Sequence, residues 1–129
     1  MAFYPSELIY CKKTRHRGRG VFARRLIPEN TIIETVPVIV WPANELQKLG
    51  PDEVLGQYVF HWSPGMVALA LGYGSLYNHS YQPNARCVDI APRTKRFIAI
   101  RDIQPNEEIT FNYNGAPENR DPVGFVDLN

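Results

Sequence analysis

The sequence predicts a mostly β fold of short strands with little helix, and three observations predict it. Residues 31–40 (TIIETVPVIV) are dominated by β-branched side chains, which suit a pleated, half-buried surface. The longest apolar run, residues 66–71, is too short for a core helix and far too short to span a bilayer. The 11 prolines and 9 glycines in 129 residues interrupt the chain often enough to exclude long helices. A hydrophobic share of 44% against 21% charged marks a folded chain of one domain, residues 1–129, rather than a disordered one.

Taken in order, residues 7–12 (ELIYCK) form a short β-prone run that leads into the cluster Lys12, Lys13, Arg15, His16, Arg17 and Arg19. Gly18 and Gly20 flank Arg19 and allow a sharp turn with close approach of a ligand. Residues 21–23 continue as a brief strand, and residues 28–30 turn. Residues 31–40 are the strongest strand, with an edge or bulge expected at Pro37, which has no N–H to donate. Residues 43–49 (ANELQKL) read as a short helix closed by Gly50 and Pro51. Residues 57–62 (QYVFHW) read as an aromatic-rich strand, and 66–71 as either a buried strand or one helical turn. Residues 86–91 and 95–101 form a hairpin around 92–94, and 108–113 form the last strand. The tail, 114–129, has Val123, Phe125, Val126 and Leu128 as its apolar anchors.

Composition also bounds function. A net charge of +1 sets up no global field for nucleic acid or a membrane surface. The N-terminus lacks the charged-then-apolar layout of a signal peptide, and Cys11 and Cys87 stand alone, without metal-ligand spacing. The expectation is a cytoplasmic protein with reduced thiols and no metal, a nuclear or host-nuclear location remaining open.

Between the aromatic-rich runs 72–77 and 87–100 lies Asn78-His79-Ser80-Tyr81-Gln82-Pro83-Asn84. Alone it is a polar turn whose side chains satisfy local backbone. It gains meaning from GRGVFA at 18–23 upstream and EEITFNY at 107–113 downstream. These three segments, in this order, resemble the SET-domain protein lysine methyltransferases over roughly residues 7–113. The compact insert and the lack of cysteine-rich flanks look most like the minimal bacterial and viral members. The resemblance implies a β-clip fold of short curled sheets, with a C-terminal pseudoknot threaded near residues 78–80 and a pocket-closing tail at 114–129. It implies methyl transfer from S-adenosylmethionine to the side-chain amine of a protein or peptide lysine, and a possible homodimer. The zinc-binding cysteine triplet of many eukaryotic members is missing, and Asn112 stands where an Asp is usual. That exchange is expected to change local bonding more than chemistry.

The resemblance carries roles onto single residues. Tyr113 is the expected catalytic residue; read without the motifs it is a tyrosine closing an edge strand. Gly18, Arg19, Gly20, Asn78, His79, Tyr113 and the tail's Phe125 are the expected cofactor contacts, with the Asn78 side chain at the amino-acid end and the His79 backbone at the adenine. Tyr58, Phe60, Tyr73 and Phe111 are the expected lysine channel, with core packing the competing reading, stronger for Phe60 than for Tyr58 and open for Tyr73. On a strand, residues 111 and 113 face one side, so their rings share a pocket. A phenylalanine at 111, with no hydroxyl to hold a water, implies a product beyond monomethyl-lysine. Two other classes compete with this reading. A nucleic-acid-binding β module would use Arg15, Arg17, Arg19, Arg24 and Arg25. A catalytically silent relative would only bind a peptide.

Overall fold

The computed structural model describes residues 2–123, and among these the chain forms nine strands with one helical turn and one 3-10 turn. The strands are β1 (Ile9–Lys13), β2 (Arg19–Ala23), β3 (Ile32–Pro42), β4 (Val59–Ser63), β5 (Met66–Ala70), β6 (Asn78–His79), β7 (Ala85–Ile90), β8 (Thr94–Ala99) and β9 (Glu108–Phe111). They make two sheets, one ordered β1-β2-β9-β6 and the other β4-β5-β3-β8-β7. All pairings are antiparallel except β6 with β9, which run parallel with Asn78 opposite Thr110 and His79 opposite Phe111. Phe125 lies outside the described residues.

Alternation accounts for most of the burial. In β8, Lys95, Phe97 and Ala99 are buried while Arg96 and Ile98 are half-buried, as period-2 geometry requires. A single core joins Ile9, Val21 and Ile109 of one sheet to Ile33, Val36, Ala68 and Phe97 of the other. Tyr77 and Phe97 stack at its centre with ring centroids 4.2 Å apart.

Three elements depart from expectation, each for a physical reason. β3 runs unbroken through Pro37, with no bulge there. Residues up to Pro37 pair with β8, and those from Val38 onward pair with β5. Pro37 therefore sits at the handover between two ladders, where a missing donor is tolerated, and its carbonyl still accepts the Leu71 N–H at 3.1 Å. The irregularity falls instead between Ile32 and Glu34. It turns two consecutive side chains, Ile33 and Glu34, into the interior. The expected helix at 43–49 contracts to the single turn Asn44–Gln47, which has no side-chain cap and no buried residue to hold a longer one. The aromatic strand starts at Val59, so Tyr58 closes the 3-10 turn Leu55–Gln57 and lies outside the sheet.

Candidate active site

The polar loop after β6 is tied to β9 from both ends. Asn84 is 2% exposed and spans the gap: its Oδ1 accepts the Thr110 N–H at 2.9 Å and its Nδ2 donates to the Glu108 carbonyl at 2.8 Å. Nearer β6, the Ser80 N–H donates to the Phe111 carbonyl, and the Tyr113 N–H donates to His79 Nδ1 at 2.9 Å. His79 therefore accepts on Nδ1, which fixes its proton on Nε2, a buried atom that has no hydrogen-bond partner among the described residues. Burial, and next the Arg17 guanidinium, hold the imidazole below its ordinary pKa, so it stays neutral.

The Gly18–Gly20 turn faces this junction. Gly18 adopts φ +69°, a left-handed conformation that suits glycine, with open space where a side chain would project. Gly20 is required for another reason. A Cβ there would lie 2.5 Å from Glu108 Oε2 and 3.0 Å from Asn78 Nδ2. Those two groups bond one another at 2.7 Å, and Asn78 Nδ2 also reaches the Arg19 carbonyl at 3.2 Å. Arg17 completes the cluster, donating to Glu108 Oε1 and to the His79 carbonyl, both at 2.9 Å. The Asn78 amide nitrogen is thus fully engaged, while its Oδ1 has no partner among the described residues.

A cleft of about 650 Å³ opens over this cluster, lined by Lys13, His16, Arg17, Gly18, Arg19, Leu76 and Asn78. A second cleft, of about 460 Å³, is lined by Phe60, Cys87, Asp89, Lys95, Phe111, Asn114 and Val123. Gln57, Tyr58, Ser75, Tyr77 and Tyr113 line both. The two clefts therefore meet at Tyr58, Tyr77 and Tyr113. There the Tyr113 hydroxyl donates to the Tyr77 carbonyl at 2.6 Å. Burial is the main cause that pushes the Tyr113 hydroxyl up to about 12, so at neutral pH it is a proton-bearing donor and no base. Tyr77 is itself anchored through its own hydroxyl, which donates to Glu34 Oε1 at 2.8 Å. Glu34 also accepts the Tyr73 N–H, and burial raises its pKa against the pull of both bonds.

The structure brings Gly18, Arg19 and Asn78 to the first cleft, Phe60 and Phe111 to the second, and Tyr58 and Tyr113 to both. Tyr113 lies beyond the end of β9, yet its ring is 5.1 Å from that of Phe111, as strand geometry continued by two residues would give. Phe60 is occupied on the faces that matter: it stacks on Phe111 at 5.8 Å and carries the Lys95 ammonium at 4.2 Å. Tyr73 lines neither cleft and packs against the core instead. Asn112 uses what an Asp lacks, an amide Nδ2 that donates to the carbonyls of Asn119 (2.6 Å) and Pro117 (3.3 Å), pinning residues 117–119 beside the site. Sequence reasoning left Arg17 in an undifferentiated basic cluster and gave no role to Glu34, Ser75 or Lys95. Glu108 carried a signal, as the carboxylate opening the last β-run, but its partners Arg17 and Asn78 come from distant segments.

Among the described residues no group of His, Cys, Asp and Glu could hold a metal ion. The groups around the first cleft fit a zwitterionic, sulfonium-bearing cofactor: cationic side chains for a carboxylate, and the open Asn78 Oδ1 for an ammonium. Comparison with known proteins bears on the same region. A family model described as the SET domain matches residues 18–114. A Schizosaccharomyces pombe protein named histone-lysine N-methyltransferase, H3 lysine-37 specific, is 38% identical over 103 residues, which cover 79% of this chain and 70% of that protein. The crystal structure of a candidate histone methyltransferase from Plasmodium falciparum superposes with a TM-score of 0.67 at 30% identity, covering 85% of this chain and 94% of the other.

Proposed function

Because the chain belongs to the SET domain family and is a protein-lysine N-methyltransferase, we propose that it uses S-adenosylmethionine held in the 650 Å³ cleft. We take the tail of histone H3 as its first candidate substrate. The observation that carries this reading is the meeting of two clefts at Tyr58, Tyr77 and Tyr113. Donor and acceptor can then approach from opposite sides and react in line, without sharing one pocket.

When bound, S-adenosylmethionine supplies the methyl group and a fixed positive charge beside the junction. The chain's own residues do the rest. Gly18, Arg19 and Asn78 bind and orient, Asn78 presenting its Oδ1 while Glu108 and Arg19 hold its amide nitrogen. A free lysine has a pKa near 10.4, so presenting it as the neutral amine at pH 7 costs roughly 4–5 kcal/mol. The rings of Phe111, Tyr58 and Tyr113 surround the amine with apolar surface at the inner end of the second cleft and disfavour the ammonium form. The Tyr113 hydroxyl, held by its hydrogen bond to the Tyr77 carbonyl, sets its oxygen at the junction, where it stabilises developing positive charge and aims the amine. Glu34 holds Tyr77 and thereby the carbonyl that positions Tyr113.

The test is incubation of the protein with methyl-labelled S-adenosylmethionine and recombinant histone H3, with mass spectrometry of the modified site. Label on a histone lysine is the expected result. Label on other proteins of a whole extract, with histone H3 unmodified, keeps the activity and removes the substrate. No labelling of any protein by a well-folded sample that binds S-adenosylmethionine defeats the reading.

A further inference from the structure

The second cleft has a floor whose character changes along its length. It is made by one face of the β7–β8 hairpin, where Cys87 pairs with Phe97 and Asp89 pairs with Lys95. The inner end is apolar: Cys87 lines the cleft there, and beneath it the fully buried Phe97 ring stacks on Tyr77 and lies 5.6 Å from Phe111. Two residues further along each strand, toward the hairpin loop, the floor carries charge. Lys95 and Asp89 are the only Lys, Arg, Asp or Glu side chains that line this cleft among the described residues.

These two charges are not equally available. The Lys95 side chain is 6% exposed, with its ammonium 2.6 Å from Asp89 Oδ1, 4.2 Å from the Phe60 ring centroid and 5.7 Å from that of Trp62. It already has a carboxylate and two aromatic faces as partners. The Asp89 side chain is 46% exposed, and its bond to Lys95 uses Oδ1 alone. A molecule entering the cleft therefore meets an open carboxylate oxygen over a cation that is turned inward and covered. The thiol of Cys87 adds no reactive charge, since burial pushes its pKa up to about 12.

We propose that Asp89 is a specificity residue that reads a positively charged side chain, arginine or lysine, close in sequence to the lysine being methylated. Cys87 and Asp89, two residues apart on one face of β7, lie about 7 Å apart along it. An extended peptide advances at the same rate, so a target lysine entering over Cys87 sets a residue about two positions away over Asp89. An acidic side chain at that place meets the carboxylate before the buried ammonium and is disfavoured. This inference rests on the reading of the second cleft as the substrate side.

The test uses fluorescently labelled nine-residue peptides of alanine and glycine with one central lysine. Arginine, alanine or glutamate is placed in turn at each of the two positions on either side. Equilibrium binding is read by anisotropy at low salt in the presence of the demethylated cofactor, and turnover is read separately with S-adenosylmethionine. The expected result is that arginine at one of these positions tightens binding about two- to fivefold over alanine, as a half-exposed ion pair allows. Rising salt should erase the gain. Asp89→Asn, which keeps an acceptor for Lys95, should lose the arginine preference. Equal binding of all peptides, tighter binding of the glutamate peptide, or an arginine preference that survives in Asp89→Asn would each overturn the assignment. Arginine-dependent binding without turnover of any peptide would leave Asp89 as a reader and sink the proposed reaction instead.

Discussion

Tyr113 is one of the residues at which both clefts meet, and at neutral pH its hydroxyl keeps its proton. Tyr113→Phe removes the bond to the Tyr77 carbonyl but keeps the ring contacts with Phe111 and His79. Cofactor affinity should stay nearly unchanged while turnover falls at least about tenfold, roughly 1.4 kcal/mol of barrier; single-turnover rates and cofactor titrations on the same sample check both halves. We propose that Phe111 governs a different quantity, the number of methyl groups added. The residue is 4% exposed and lines the second cleft. A tyrosine there would hold a water in the space a methylated amine needs in order to rotate. The wild type should therefore pass beyond monomethyl product and Phe111→Tyr should stall at it, as read by intact mass of a peptide at full conversion. His79 links the site to pH. Its folded pKa lies below the ordinary 6.5, so the unfolded chain takes up the proton first, and stability is lost as pH falls below about 6.5. Glu34 runs the other way: its raised pKa contributes stability that is present below the ordinary 4.5 and lost as pH rises through the folded value. His79→Asn, which offers an oxygen where Nδ1 now accepts, should flatten the fall in melting temperature between pH 7 and pH 5.

At the scale of elements, the junction of β6 with β9 depends on one side chain more than on its own short ladder. Asn84→Ala would leave the Thr110 N–H and the Glu108 carbonyl buried without partners. At about 1–3 kcal/mol for each of the two groups, the loss should be on the order of 2–6 kcal/mol in urea unfolding. A change under about 1 kcal/mol would mean that backbone pairing alone holds the two strands. The strands themselves were legible because their signals are local. The β-branched run of β3, the alternation in β8 and the turns around Pro92 and Pro105 each lie within a few residues. Pro37 misled because its tolerance depends on which neighbour β3 pairs with at that point, a fact of topology. The same limit applies to the site. Motif spacing pointed to Gly18, Gly20, Asn78 and Tyr113. Arg17 and Glu34 act through partners 62 and 43 residues away, and no local pattern marks such pairs.

For the whole molecule, a cofactor held in the first cleft would be a ligand of the folded state alone, because Asn78, Arg17 and Glu108 come together only on folding. At a concentration of 100 times its Kd it should add about 2.7 kcal/mol, on the order of 10 °C in melting temperature. Calorimetry with S-adenosylmethionine or its demethylated product measures the shift, and a chelator added to the same sample should leave it unchanged. The place of β9 carries one more consequence. It lies between β2, near the start of the chain, and β6, in the middle, and Glu108 at its head bonds to Arg17 and Asn78. A polypeptide emerging from the ribosome holds the glycine turn and the polar loop for some time before this strand is made. During that interval neither binding surface is complete. A chain cut short before residue 108 would therefore lack β9 and Glu108, and should neither bind the cofactor nor transfer a methyl group.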